Sequence, residues 1–292
     1  MNDNCIEYEL RRFLIEKRTL SDAGQRPAGT PLPDGRDDNC LVCSPHFYRK
    51  LANVQDVSCS NVGNFFEQKD IALSADKAKL ESQGNLDCAG VQTWYNDVDL
   101  LQLQFLFVPV VMDRHWSLAV VANFDNLFQY WQDSTRDASV RAPCIIICDS
   151  AGCHDAKGIA QNLRLFLLNE WCLRQSRASF PADFNAYVKT LLGGSPEKST
   201  FEVENNTTRD GSQLPLLQAS VPMQPTDNVQ DCGLYCAQFV EEFLFRWPEV
   251  NRGQVEGGYI EGFDKNMFTH ENIEGLRVAI RKHIENIKAK SE

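Results

Sequence analysis

The chain of 292 residues has no long hydrophobic run. No stretch approaches the about 18 consecutive apolar residues of a bilayer-spanning helix, so a membrane helix is not expected. Met1 to Arg12 mixes acids, bases and polar residues and lacks the apolar segment of a secretory signal. Positive charge is scarce: 29 Lys and Arg stand against 40 Asp and Glu, a formal charge of −11. Broad nucleic-acid binding needs basic surface to displace phosphate counterions, and this balance argues against it. A protein partner stays open, because a local basic patch can exist on an acidic chain. No internal repeat is visible. A regular disulfide framework is also missing, since the 11 cysteines are odd in number and irregular in spacing. Reduced thiols in an intracellular compartment are the simpler expectation. The overlapping sequons in Asn205–Thr208 matter only in a secreted protein and carry little weight here.

What is present suits a globular protein. Hydrophobic residues make up 43% and charged residues 24% of the chain, ordinary values for a folded domain. The expectation is one domain over 1–292, with polar loop insertions at 18–39, 52–86 and 174–220. Ile6 to Lys17 reads as an amphipathic helix with Leu10, Phe13 and Leu14 at helical spacing. Pro45 to Leu51 opens a second. Phe105 to Val111, Trp116 to Phe124 and Ala142 to Cys148 are short apolar runs of the kind buried strands show. Ile159 to Leu173, Cys232 to Trp247 and Asn272 to Lys288 read as helices, the second stopped by Pro248. A short helix is expected around Phe184 to Leu192. Helices, then strands, then helices predict an α+β fold with a mixed central sheet flanked by helices.

Three residues with chemical potential fall at the ends of these elements: His115 at the start of a strand, Asp149 after another, and Cys232 where a polar loop meets a helix. A thiol peptidase needs this set. The thiolate attacks, the imidazole takes and returns a proton, and the carboxylate fixes the imidazole tautomer. A helix N-terminus also favours the thiolate. Each residue has a plainer reading: a histidine packed beside a tryptophan, an aspartate forming a turn, a core cysteine among eleven. Spacing alone does not decide between them.

The wording around them is more specific. His115-Trp116-Ser117-Leu118, Asp149-Ser150 and Gln224 to Tyr235, in that order, resemble the Ulp/SENP family of SUMO-specific cysteine proteases. Cys43 to Tyr48, Val91 to Trp94 and Asp99 to Pro109 are similar to the family's earlier segments, and Met1-Asn2-Asp3 resembles the end of its Leu-Asn-Asp opening. Asp231 to Tyr235 with Gln238 to Phe243 looks most like the branch that edits poly-SUMO chains. The resemblance implies a papain-like fold of the Ulp/SENP type and an isopeptidase that frees SUMO from lysine side chains after Gly-Gly. It implies Cys232 as nucleophile, His115 as base and Asp149 as its orienter. It also implies Trp116 as a lid over the diglycine tail, with Asn2 and Asp3 in substrate binding. SUMO or SUMO-conjugated proteins are the partners implied, nuclear or nucleo-cytoplasmic the location. A monomer without cofactor, metal, nucleic acid or membrane partner is expected. Because the family's opening is cut short, the chain is expected to be a fragment of a longer protein.

Two points depart from the family or compete with it. The family's oxyanion-hole glutamine stands six positions before the nucleophile, where this chain has Thr226. Gln224 follows a matching Val221-Pro222-Met223 and becomes the candidate if two residues are inserted; Gln230 is a weaker one. Cys40-Leu41-Val42-Cys43 invites a zinc site, but no second pair completes four ligands, and Cys148, Cys153 and His154 do not supply one, because Cys148 falls inside a strand. The competing functions are a protease or acyltransferase for another ubiquitin-like tail and a catalytically weak module that only binds such a protein.

Overall fold

Uninterrupted apolar strands need cover on both faces, and the computed structural model of the chain provides it. The structure describes residues 6–10, 12–13, 40–52, 86–95, 98–132, 135, 137–174, 203–204, 207–208, 214–228, 230–246 and 248–291. The strands are β1 (Cys40–Val42), β2 (Phe105–Met112), β3 (His115–Ala122) and β4 (Cys144–Cys148), then β5 (Val203–Glu204), β6 (Thr207–Thr208) and β7 (Leu216–Gln218). Five of them form a mixed sheet in the order β1-β2-β3-β4-β7, while β5 and β6 pair separately. The inner pairs β2–β3 and β3–β4 are antiparallel, and the outer strands β1 and β7 run parallel to their neighbours.

The helices are α1 (6–10 and 12–13), α2 (His46–Leu51), α3 (Cys88–Gln92) and α4 (Leu127–Gln132). After them come α5 (Ala156–Arg174), α6 (Cys232–Arg246), α7 (Arg252–Gly257) and α8 (His270–Ser291). Alternate residues of each central strand enter different cores. Phe105, Phe107, Leu118, Val120 and Ile146 pack with Phe239 and Phe243 of α6 and Ile280 of α8. Leu106, Val108, Ala119, Val121 and Ile147 pack with Phe47 of α2 and Leu163 and Phe166 of α5. Burying one such side chain contributes about 1.5–3 kcal/mol, so double-sided burial holds the sheet rigid beneath the loops at its ends. No helix among the described residues is long and apolar enough to cross a membrane.

The predicted strands and long helices are present, with ends moved by a few residues. Residues 6–10 and 12–13 of the expected first helix are helical, whereas 14–17 lie outside the described residues. The same holds for the loop at 18–39, for nearly all of the stretch at 52–86 and for the helix expected near Phe184. Leu216–Gln218, inside the stretch predicted as an insertion, is the outer strand β7, paired with Ile145–Ile147. Helices α3, α4 and α7 were not anticipated. Each is 5–6 residues long, too short to show a helical period.

Candidate active site

The β2–β3 turn sets the first candidate residue. Asp113 and Arg114 both take left-handed backbone angles, φ 50° and 65°, and close a two-residue hairpin across which Met112 faces His115. Such a turn follows the twist of the sheet, and it makes His115 the first residue of β3. β4 is the antiparallel neighbour of β3, and the chain leaves it at Asp149, beside the same sheet end.

The two side chains meet there. His115 Nε2 lies 2.6 Å from Asp149 Oδ1, with both groups largely buried. Asp149 also accepts N–H bonds from Ala151 (3.0 Å) and Gly152 (3.0 Å) on Oδ1 and from His154 (2.9 Å) on Oδ2. Burial pushes the Asp149 carboxyl up. The hydrogen bonds from His115 and from the loop N–H groups outweigh it and hold the carboxyl well below the usual carboxylate range. Nε2 of His115 therefore carries the hydrogen, which leaves Nδ1 for the thiol.

Cys232 supplies that thiol as the first residue of α6. Its helix start is anchored by Asp231, whose carbonyl accepts the N–H groups of Leu234 (2.8 Å) and Tyr235 (3.0 Å). The buried Asp231 carboxylate pairs with Arg277 of α8 and accepts from Asn228 Nδ2 at 2.6 Å. Cys232 is only 6% exposed. Burial opposes ionisation of its thiol, but the hydrogen bond to His115, the backbone N–H of Trp116 and the imidazolium charge lower its pKa. Burial likewise opposes protonation of His115, and its bonds and charge interactions with Asp149 and Cys232 overcome this, raising it to about 9. Thiolate and imidazolium thus stabilise each other.

Trp116, next along β3, is 7% exposed and lies in the core on the α6 side of the sheet. Gly233 lies against this packing: a Cβ there would crowd Ile6 of α1 at 3.2 Å and only touch the indole, at 3.6 Å. Asn2 and Asp3 lie outside the described residues. Gln224 hydrogen-bonds through its backbone N–H to the Ser150 carbonyl at 2.8 Å, one residue from Asp149. Its side-chain oxygen is 3.4 Å from Ser150 Oγ, and its amide nitrogen donates to the Asn228 carbonyl. The same nitrogen lies 3.5 Å from Asn228 Oδ1, so the Gln224 amide is held by the 224–228 loop. Thr226 and Gln230 are exposed.

No local signal assigned a catalytic part to His154, Ser117, Asn228 or Arg277. His154 Nδ1 is 2.7 Å from Ser117 Oγ, and its ring centroid is 4.8 Å from that of His115. His115, Asp149 and His154 are the one cluster of potential metal ligands among the described residues, with donor atoms within 4.8 Å of one another. Those atoms already hydrogen-bond protein groups. Cys40 and Cys43 are buried, on β1 and just after it, and Cys148 is a buried thiol in β4.

A thiol at a helix start, bonded to an imidazole that a buried carboxylate holds, is the equipment of a cysteine peptidase. The comparison with known proteins gives the family. Residues 38–287 match the Ulp1 protease family, C-terminal catalytic domain, and the chain belongs to that family. It is 27% identical over 244 residues to Ubiquitin-like-specific protease 1D of Arabidopsis thaliana, covering 83% of this chain and 32% of that protein. Sentrin-specific protease 7 of Homo sapiens is 24% identical over 296 residues, covering 86% of this chain and 22% of that protein. Among solved structures, that of a de-sumoylating protease aligns over 100% of this chain and 85% of its own, with a TM-score of 0.44 and 14% identity. The chain spans about a third or less of the length of these two named relatives.

Proposed function

We propose that this chain is a cysteine isopeptidase that removes SUMO, including SUMO within chains, from lysine side chains after the terminal Gly-Gly. The observation that carries the proposal is the His115 ring, bonded at once to Asp149 and to Cys232 at the start of α6. Family membership and the relatives' names support the choice of substrate.

The thiolate of Cys232 attacks the carbonyl carbon of the last glycine, forming the C–S bond. Negative charge moves to the carbonyl oxygen, where the Cys232 N–H and the Gln224 amide are the proposed donors. Collapse breaks the C–N bond, and His115 gives its Nδ1 proton to the departing lysine amine. Water, deprotonated by the now neutral His115, then attacks the thioester and releases the glycine carboxylate and the thiol. Asp149 keeps His115 in one tautomer throughout. The reading places the work in a reducing nuclear or nucleo-cytoplasmic setting, which suits a chain with 11 cysteines.

The direct test is a SUMO probe with an electrophilic C-terminus. Labelling that requires Cys232 is expected. Labelling by another ubiquitin-like probe instead would move the substrate assignment, and binding without labelling would make the chain a recognition module.

Two further results are expected. Gln224→Ala should lower turnover roughly 10²–10³-fold, the usual cost of one oxyanion donor, while Thr226→Ala changes little. The reverse order in kcat would assign the role to Thr226. The second concerns Trp116, proposed to cover the tail, because a flat indole can close over glycine where no side chain intervenes. A substrate ending in Gly-Ala should be cleaved far more slowly than Gly-Gly, since crowding by one methyl costs about 1–3 kcal/mol. Trp116→Ala should slow Gly-Gly cleavage and narrow the gap. Equal kcat/KM for the two tails with the unaltered enzyme would return Trp116 to a packing role only.

A further inference from the structure

His154 stands in the loop between β4 and α5, and its side chain reaches two other strands. Nε2 lies 3.2 Å from the carbonyl oxygen of Met112, the last residue of β2. A carbonyl can only accept, so Nε2 carries the hydrogen. Nδ1 is then a lone pair, and it accepts from Ser117 Oγ at 2.7 Å. Ser117 is fully buried in β3, two residues beyond His115. The neutral ring therefore has both nitrogens satisfied, and its tautomer is fixed by partners of opposite kind.

The same residue touches both groups proposed to act on Cys232. Its backbone N–H donates to Asp149 Oδ2 at 2.9 Å, and its ring meets that of His115 edge to face at 4.8 Å. The loop it belongs to also supplies the Ala151 and Gly152 N–H groups to Asp149. The side-chain bonds to Met112 and Ser117 tie that loop to β2 and β3. Without them, nothing in the His154 side chain would hold the three N–H groups in register with the carboxylate.

We propose that His154 is a positioning residue of this site, which through its Nε2–H tautomer clamps the 149–154 loop to β2 and β3 and so holds Asp149 and His115 where the Cys232–His115 ion pair needs them. The proposal rests on the reading of Cys232, His115 and Asp149 given above. The charged and titratable groups around the ring are His115 of β3, Asp149 of the loop and Asp113 of the β2–β3 turn. Burial, the first cause, lowers the pKa of His154, and the charge of His115 adds to it; the Met112 carbonyl and the two aspartates oppose. The ring thus stays neutral while its neighbour His115 is charged.

The test follows the pH dependence of Cys232 alkylation by iodoacetamide, read on the Cys232 peptide by mass spectrometry, beside kcat and KM on a SUMO conjugate. Loosening the loop weakens the hold of Asp149 on the imidazolium. In His154→Ala the thiolate should therefore form at higher pH and the imidazolium be lost at lower pH, so the ion-pair range, bounded by the two inflections of the alkylation profile, narrows from both ends. kcat should fall roughly 10–100-fold with KM nearly unchanged, the scale expected from a small misplacement of reacting groups. Ser117→Ala, which removes only the hydroxyl donor, should shift both limits in the same sense by less. His154→Gln, whose amide can donate to Met112, should recover part of the range.

Unmoved limits in both His154→Ala and Ser117→Ala, whatever the change in melting temperature, would overturn the proposal and leave His154 a packing residue. If His154→Ala does not fold, Ser117→Ala and His154→Gln decide by the same limits. If the limits shift as expected while no SUMO conjugate is cleaved, the substrate assignment fails and the role of His154 stands. Absence of any ion-pair plateau in the unaltered protein would overturn both.

Discussion

Cys232→Ser is expected to abolish cleavage, with a loss of at least ~10⁴-fold in kcat, while binding of the tailed substrate persists. The scale is that of removing the nucleophile of a hydrolytic triad. The reason lies in the ionisation state. In the native site the thiol pKa is lowered and the His115 pKa is raised to about 9, so the site favours the anionic form of the group proposed to attack. A serine hydroxyl in the same place remains neutral, and the proton must move during attack. The shape hardly changes, so the helix start, the Asp231–Arg277 pair and the tail-binding surface stay in place. Cys236→Ala is the matched control. Cys236 lies on the same helix, fully buried, with its thiol pKa pushed up by burial and its Sγ 3.6 Å from the Ser117 carbonyl. It has no route to the thiolate state and should be dispensable for turnover. Comparable rates for Cys232→Ser and the unaltered protein in a SUMO-conjugate assay would remove Cys232 from the mechanism.

Legibility from the sequence followed the strength of local signals. β2, β3 and β4 were readable because strands buried on both faces are continuous apolar runs, and α5, α6 and α8 because they are long enough to show a period. Leu216–Gln218 was not readable: three residues carry no period, and only pairing with Ile145–Ile147 makes them a strand. His115, Asp149 and Cys232 stood at element ends within distinctive local wording, so they could be named, and the fold then brought them together. His154 was weighed only as a metal ligand. Its connections to Ser117 and Met112 span 37 and 42 residues of sequence, and no local pattern encodes them. The Arg277–Asp231 pair is hidden for the same reason, since its partners are 46 residues apart. Short-range wording singled out the residues proposed to react, whereas their supports are products of tertiary structure.

Asp149→Asn should cost ~10²–10⁴-fold in kcat, and the geometry explains the range. Oδ1 of Asp149 accepts from His115 Nε2 and from the N–H groups of Ala151 and Gly152, whereas Oδ2 accepts only from His154. An asparagine can turn its oxygen towards the first three donors, which leaves one clash, its NH₂ against the His154 N–H. The opposite orientation sets NH₂ against three donors and is strongly disfavoured. The favoured orientation keeps His115 in its Nε2–H tautomer, so the loss comes mainly from the missing negative charge. The full ~10⁴ known for a reversed tautomer is the upper limit, reached if the amide is forced to flip. The charge effect has a definite sign. Asp149 helps hold the His115 pKa up at about 9, so without the carboxylate the imidazolium is lost at lower pH. The alkaline inflection of Cys232 alkylation, where the imidazolium is lost, should therefore move down from near pH 9, and the thiolate, deprived of part of its counter-charge, should form at higher pH. Both shifts are measurable without substrate, and neither depends on which ubiquitin-like protein the site accepts. A variant that cleaves at the native rate with its alkaline inflection unmoved would mean that another group, and not Asp149, holds the imidazole.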